Sequence, residues 1–247
     1  ALRSPPLSIP LCPILQWSNL GEIADRVAEL AAAGNTVAKV KLSGDLDANR
    51  ATIQATIKTG APTKFRFRYD ANQAMSPAVA AATVKLLDHE STELLEQPFP
   101  VDAWDDQERL ARDCPIPLML DESIVDAAAV ERAAGCASII KLKLTKNRTP
   151  SGLRLLITRA REFGLDVILG NGAQGSIGCL VEGWVQAEMG LARPGEMNGY
   201  RKIANDPLGF LIEDTPTGMR VPGAVDWERV REALARHSTT RYELPVD

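Results

Sequence analysis

The sequence predicts an α/β fold in which strand-helix units close into a (β/α)8 TIM barrel. Short apolar runs rich in branched residues alternate with longer amphipathic segments through most of the 247 residues, the pattern of parallel strands joined by helical crossovers. Charged residues end successive runs at a steady interval: Asp70 lies 29 residues after Lys41, Glu96 26 after Asp70, Asp121 25 after Glu96, and Lys143 22 after Asp121. The first strand-to-helix turn, "QWSNLGE", lacks the glycine-rich fingerprint that an open doubly wound sheet carries there, so a closed barrel is the simpler reading. A chain of this length suits one large barrel with a well-buried core.

The units follow in order. "LSIPLCPIL" (7–15) reads as strand one and "LGEIADRVAELAAAG" as its helix; "TVAKVKL" is strand two, followed by the helix "DLDANRATIQATIKTG". "KFRFRYD" with "SPAVAAATVKLLDHE", "TELLEQP" with "AWDDQERLARDC", and "IPLMLDES" with "VDAAAVERAAG" make units three to five. "ASIIKLKL" with "SGLRLLITRAREFG" and "LDVILGNG" with "SIGCLVEGWVQAEMG" make six and seven, and a weaker eighth strand falls near "ARPGEMNG". Ser76 and Pro77 open a helix in N-cap then proline order, while Gly34, Gly60, Gly135 and Gly164 are expected to close helices. Residues 1–205 are therefore assigned to the barrel domain. Beyond Asn205 the rhythm breaks into glycine and proline turns before a final helix at "DWERV", so 206–247 reads as a C-terminal extension packed on the barrel.

With 45% hydrophobic and 24% charged residues and a net charge of -4, the chain has an ordinary globular composition without the basic stripe that nucleic acid demands. Neither nucleic acid nor an anionic membrane is expected as a partner. Cys12, Cys114, Cys136 and Cys179 form no C-x-x-C pair, which fits small core residues in a reducing compartment rather than a disulfide framework or a zinc site. No apolar run approaches the ~18 to 20 residues of a membrane span, and no charged segment precedes a secretory core, so a cytoplasmic location is expected.

In parallel barrels the working residues end the strands, at the C-terminal mouth. Asp70, Glu96 and Asp121 end three consecutive strands, so their carboxylates converge and repel one another unless a cation joins them. Hard oxygen ligands without histidine or cysteine suit Mg²⁺, with Mn²⁺ as an alternative, and disfavour zinc. Taken singly, each carboxylate could serve only as a helix N-cap. Lys39 and Lys41 in "AKVKLSGD", and Lys141 and Lys143 in "IIKLKLTKN", stand two apart on strands two and six. Each pair therefore leaves one face of its strand, into the barrel if Val40 packs outward. A buried lysine needs an anion or loses its proton, and a neighbouring ammonium lowers its partner's pKa toward that of a base. The competing assignment makes these lysines barrel-core ion pairs with the carboxylates, joined by Arg66 and Arg68, which share the parity of Asp70.

Together "KVK", "DAN" at 70–72, "LLEQP" at 94–98, "DES" at 121–123 and a strand-six lysine resemble the enolase superfamily, over residues 8–215. The resemblance implies Mg²⁺ on Asp70, Glu96 and Asp121, with Asn72 and Glu122 beside these ligands rather than on the ion. The mandelate racemase branch places a histidine on strand seven, and "DVILGNG" has none. Lysines on both sides resemble instead the muconate cycloisomerase branch, which includes cycloisomerases, dipeptide and N-acylamino acid epimerases or racemases, and o-succinylbenzoate synthases. This implies an Mg²⁺-dependent isomerase or lyase that abstracts a proton next to the carboxylate of a small substrate, through an enediolate. Such a proton is very weakly acidic, so a lysine can remove it only in a dry, preorganised site with a metal ion nearby. Lys41 is implied as one base, with Lys39 beside it, and a strand-six lysine as the opposite acid or electrostatic stabiliser.

Two registers compete on strand six. Matching "ASIIKLKLTK" to the family's usual "ADVINIKLMK" selects Lys143, the preferred assignment, with Lys141 deeper and Lys146 past the strand end; matching the synthase pattern "VIKPTL" selects Lys141. The family's double glycine is replaced by "NRTPSG". "GNGAQGSIG" is expected to open a helix whose free amides, near Asn171 and Gly172, cradle a substrate carboxylate. Glu196 and Asn198 in "GEMNG" are further substrate-facing candidates. The family's N-terminal α+β capping domain is not expected within this sequence, which starts essentially at strand one; water exclusion would suffer in the uncapped barrel. Two other readings compete: a catalytically silent barrel serving binding or assembly, and a lyase using a lysine Schiff base. Pairing of exposed barrel helices leaves a homo-oligomer open.

Overall fold

The computed structural model describes residues 5–237. β1 (Leu7–Pro10) is followed by α1 (Ile23–Ala32), β2 (Val37–Lys41), α2 (Leu46–Gly60), β3 (Arg66–Asp70), α3 (Pro77–Val84), β4 (Thr92–Glu96), α4 (Trp104–Asp113) and β5 (Leu118–Leu120). Then come α5 (Ala127–Ala133), β6 (Ile139–Leu142), α6 (Leu144–Asn147), α7 (Pro150–Glu162), β7 (Asp166–Leu169), α8 (Ser176–Glu188), β8 (Glu213–Thr215), β9 (Gly218–Val221) and α9 (Trp227–His237). Strands β2 to β7 neighbour one another in chain order in a single parallel sheet, as right-handed βαβ crossovers require.

Two short staves close this sheet into the barrel. Glu196 bridges Gly170 just past β7, Gly195 bridges Leu11, and Ile14 bridges Lys39 of β2, all parallel. The expected eighth strand is therefore present, reduced to a few residues around Gly195 and Glu196. Strand one differs from expectation, because the run 7–15 divides. Leu11 N still donates to Thr217 O at 3.0 Å, whereas Cys12 N donates to Gly195 O at 2.7 Å, so the chain changes partner between these two residues. The prolines permit the change: Pro10 and Pro13 lack an N–H and only accept, from Gly195 N at 2.9 Å and Lys39 N at 2.8 Å. β1 itself leaves the barrel and pairs antiparallel with β9, and β9 pairs with β8.

Strand alternation sorts the side chains. Ala38, Val40, Phe67, Tyr69 and Leu95 face outward and pack with Ile23, Val27, Ile53, Ala80 and Val84 of the helices. On the other half, Leu120, Ile140, Leu142, Val167 and Leu169 meet Val130, Leu153, Ile157, Cys179 and Leu180. Inside the barrel, Leu94, Met119, Ile139 and Ile168 form a separate small cluster, each two residues before an inward position at the mouth. Arg68, two residues before Asp70, shares this interior and is fully buried. The register shifts between Phe67 and Arg68, so Glu93 is the extra residue on β4, and its carboxylate receives Arg68 Nε at 2.7 Å.

Caps follow the local chemistry. Asp45 accepts from Asp47 N and Ala48 N, Ser76 from Val79 N, Asp126 from Ala129 N and Thr149 from Gly152 N. Gly34 (φ +93°) and Gly164 (φ +73°) take the left-handed conformation that ends a helix, whereas Gly60 and Gly135 do not. Gly60 keeps φ -74°, and its role is close packing: a Cβ there would lie 2.6 Å from Phe65 O and from the Phe67 ring.

Past Asn205 the chain forms β8, β9 and α9; residues 238–247 of the expected extension lie outside the described residues. Ile9, Met219 and Val221 join the core around Leu180 and Val185 of α8, and Trp184 Nε1 donates to Pro222 O at 2.8 Å. Among the described residues, no helix is long and apolar enough to cross a membrane.

Candidate active site

Parallel strands end at one rim, and three consecutive ends bring Asp70, Glu96 and Asp121 together; Asp70 and Glu96 are wholly buried and Asp121 is 3% exposed. The Lys39 ammonium stands 2.6 Å from Asp70 Oδ2, 2.7 Å from Glu96 Oε2 and 2.9 Å from Glu196 Oε2. Lys141, also buried, donates to Glu96 Oε1 and Glu196 Oε2 at 2.5 Å each, and lies 3.7 Å from Asp121 Oδ2. The carboxylates thus gather around two deep ammonium groups.

Nearer solvent, Lys41 Nζ is 2.7 Å from Asp70 Oδ2 and also donates to Asn72 Oδ1. Lys143 Nζ is 2.6 Å from Asp121 Oδ2. β2 and β6 lie opposite each other in an eight-stave ring, so these two lysines flank the mouth from opposite sides. Asn72 Nδ2 donates to Glu122 Oε1 at 3.1 Å, while Glu122 Oε2 is buried without a hydrogen-bond partner. Gln97 fixes the spacing of the β4 and β5 ends: its Oε1 accepts from Asp121 N at 2.9 Å and Ser123 N at 3.2 Å, and its Nε2 donates to Ser123 Oγ at 2.8 Å.

Burial works against every charge in this cluster, and the outcome depends on the neighbours. Burial would lower Lys39 and Lys141, but the Glu196 and Glu96 carboxylates outweigh it and hold both above the ordinary lysine range. Burial would raise Asp70, Asp121 and Glu196, yet the surrounding ammonium groups hold all three low, Lys39 leading at Asp70 and Lys141 at the other two. Glu96 is pushed up to about 7, by burial first and then by Glu196 and Asp70, against Lys141 and Lys39. Burial, with Lys143 and Lys141 nearby, pulls Lys146 down despite Asp121.

A cavity of about 210 Å³ opens at this rim. Lys39, Lys41, Asp70, Asn72, Asp121, Glu122, Lys141, Lys143, Asn171, Gly172, Glu196 and Asn198 all line it, together with Ile14 and Lys202. Glu96 is absent from the lining because Lys39 and Lys141 cover it. The structure therefore brings the sequence-derived candidates to one place; the lysine–carboxylate ion pairs of the competing assignment are present as well, with Arg68 pairing Glu93 and Glu196, while Arg66 donates to Thr92 O instead. At the start of α8 one amide of the expected cradle, Ser176 N, donates to Asp206 Oδ2 at 2.6 Å. Asn171 is likewise engaged, donating to Glu182 Oε2 at 2.6 Å and accepting from Gly199 N at 2.9 Å. Asn198 Nδ2 donates to Cys12 O at 2.9 Å.

Four participants carry no assigned role in the sequence: Lys146, Glu182, Glu93 and Arg193. Lys146, placed past the strand, turns back within α6 to donate to Asp121 O at 2.6 Å and Asp121 Oδ1 at 3.0 Å; its spacing of three from Lys143 is one helical turn, a signal available in the sequence. Glu182, Glu93 and Arg193 depend on contacts between distant segments and left no local mark, whereas Arg68, already placed among the core ion pairs by its strand parity, joins Glu93 to Glu196.

The residues fit a hard divalent cation by chemistry: oxygen donors from three adjacent strand ends, with an unpartnered carboxylate oxygen on Glu122 beside them. Among the described residues no three acidic side chains stand as an open ligand cage, because ammonium groups reach between them. Lys41 and Lys143, whose side chains are 49% and 21% exposed, have room to retract from Asp70 and Asp121.

Known proteins resemble this chain in sequence and in fold. Residues 22–217 match the family described as Enolase C-terminal domain-like. An L-Ala-D/L-amino acid epimerase from Maribacter sp. is 31% identical over 64% of this chain and 46% of its own length. An o-succinylbenzoate synthase from Thermobifida fusca is 29% identical over 60% of this chain and 47% of its own. Muconate cycloisomerase 1 from Pseudomonas putida is 30% identical, over 64% and 43%. The chain spans less than half the length of these relatives. Among solved structures, muconate cycloisomerase from Pseudomonas fluorescens superposes with a TM-score of 0.77 at 23% identity, over 91% of this chain and 65% of that one. A dipeptide epimerase from Enterococcus faecalis, complexed with Mg and the dipeptide L-Leu-L-Tyr, gives 0.75 at 18% identity, over 88% and 62%. These neighbours share the barrel fold. With the family match covering most of the barrel, this chain belongs to the Enolase C-terminal domain-like family.

Proposed function

We propose that this barrel belongs to an Mg²⁺-dependent isomerase or lyase that removes a proton from the carbon next to a carboxylate, through an enediolate. The observation that carries the reading is the pairing of lysines: Lys39 and Lys41 on one side and Lys141 and Lys143 on the other, around Asp70, Glu96 and Asp121 in one cavity. Named relatives that are epimerases, a cycloisomerase and synthases support the reaction class, and this small carboxylate chemistry suits a cavity lined by five lysines, Lys202 included.

In this reading Asp70, Glu96 and Asp121 hold Mg²⁺, which when bound supplies positive charge beside the substrate carboxylate. Lys41 takes the proton at its Nζ from one face, and Lys143 delivers or stabilises from the other. Lys143 is favoured over Lys141 because it stands at the partly exposed mouth, whereas Lys141 is fully enclosed by Glu96 and Glu196. Lys39 and Lys141 stay charged, holding Glu96 and Glu196 in place and adding positive potential beneath the enediolate oxygens. Proton return to the opposite face gives epimerisation; loss of a β substituent gives elimination. The free thiols of Cys12, Cys114, Cys136 and Cys179 support a reducing, cytoplasmic setting.

Calorimetric titration with Mg²⁺, paired with a screen of dipeptides and N-acylamino acids for α-proton exchange, tests the reading. Saturable Mg²⁺ binding that Asp121→Asn removes is the expected result; absence of both binding and exchange would leave a silent barrel instead.

A further inference from the structure

Glu182 has no part in the mechanism above, yet it places a carboxylate in the middle of α8 with no exposed surface. A buried carboxylate persists only where hydrogen bonds satisfy it, so its partners identify its task. Oε1 accepts from Leu144 N at 2.9 Å, the residue directly after Lys143 and the first of α6. Oε2 accepts from Asn171 Nδ2 at 2.6 Å, and Asn171 Oδ1 in turn accepts from Gly199 N at 2.9 Å. One carboxylate therefore ties together the segments that follow β6, β7 and the eighth stave. The turn at α6 needs that tie. Its cap position is Lys143, which makes no side-chain capping hydrogen bond, and Glu182 supplies the acceptor from another helix. Lys143 and Lys146, on this same turn, grip the two oxygens of Asp121.

We propose that Glu182 is a positioning residue for the strand-six lysine. It anchors the backbone at Leu144, so that Lys143 is held at the mouth opposite Lys41. The inference rests on the reading of Lys143 as the strand-six acid or stabiliser, and its test is made without substrate so that the two stand or fall separately.

The test is amine-reactive labelling of the full chain, read residue by residue by mass spectrometry. Glu182→Gln keeps the side chain's size but offers one acceptor oxygen to two donors, Leu144 N and Asn171 Nδ2, so one of the two bonds is lost and the anchor at Leu144 loosens. Asn171 cannot flip to accept without turning its own donor toward Gly199 N. With one hydrogen bond lost, worth ~1 kcal/mol, Lys143 should label about fivefold faster while Lys41 keeps its rate. The double variant Glu182→Gln with Asn171→Asp reverses donor and acceptor along the chain and should return Lys143 to the wild-type rate. Unchanged Lys143 labelling in a folded Glu182→Gln protein, or equal acceleration at Lys41, would overturn the proposal. Should the single variant not fold, the double variant decides: wild-type labelling supports the proposal, and fast Lys143 labelling refutes it.

Discussion

Replacing Arg68 by Met probes the charged interior of the barrel directly. Arg68 is fully buried, and its guanidinium bonds Glu93 Oε2 at 2.7 Å, Pro194 O at 2.9 Å and Glu196 Oε1 at 3.2 Å. Removing one member of a buried ion pair costs about 3–5 kcal/mol, mostly because the partner's charge is stranded. Here the stranding is partial. Glu93 keeps Arg193 at 2.7 Å, and Glu196 keeps Lys39 and Lys141, so the low end, ~3 kcal/mol, applies. In urea unfolding the midpoint should fall with an unchanged slope, and the melting temperature should drop by about 9 °C. The double variant Arg68→Met, Glu93→Met should recover part of that loss, because Glu93 no longer sits buried without Arg68, and the partly exposed Arg193 keeps Asp166. A loss below ~1 kcal/mol for Arg68→Met would refute the reasoning that these ion pairs hold the barrel interior in place.

Other expectations follow from single contacts. Gly60→Ala sets a Cβ 2.6 Å from Phe65 O, a backbone atom that cannot swing aside, and should cost ~2 kcal/mol in the same unfolding assay. Asp206→Ala removes the acceptor for Ser176 N at the start of α8 and should cost ~1 kcal/mol, read as a lower urea midpoint. Burial pushes Glu182 up from 4.5 to about 7, against hydrogen bonds from Leu144 and Asn171 and the charge of Lys143. The folded state then binds the extra proton between those values, so this group's contribution to stability is greatest below pH ~4.5 and declines as pH rises toward ~7, by at most ~3 kcal/mol. Glu182→Gln should flatten that part of the stability profile measured by melting from pH 4 to pH 8.

The alternation of apolar runs made the barrel legible, because a parallel strand buried on both faces is mostly apolar below the mouth, with paired charges such as Arg68 and Glu93 the exception. Asp70, Glu96, Asp121 and the paired lysines were visible for the same reason: a charge ending a buried strand is costly and demands a partner. The split of the first strand at Pro10 was harder to read, since the change depends on Thr217 and Gly195 offering acceptors from about two hundred residues away. Asp206 capping α8 was hidden likewise, as its partner Ser176 lies 30 residues earlier. Glu182 reads in sequence as one polar residue of a helix, and only the fold places it beneath Leu144 and Asn171. Gly60 does end α2, as expected, but without a left-handed turn, because glycine also serves close packing, which no local pattern separates from a left-handed cap.

The central claim is that lysines on opposite strands exchange a proton at a carbon next to a carboxylate. It is tested most directly by following α-proton exchange in D₂O with Mg²⁺ and an N-acylamino acid or dipeptide that the wild-type chain turns over. Lys41→Ala should lose exchange by at least about a hundredfold, the scale of a general base, while the barrel stays folded. Exchange persisting at the wild-type rate in Lys41→Ala would contradict the account.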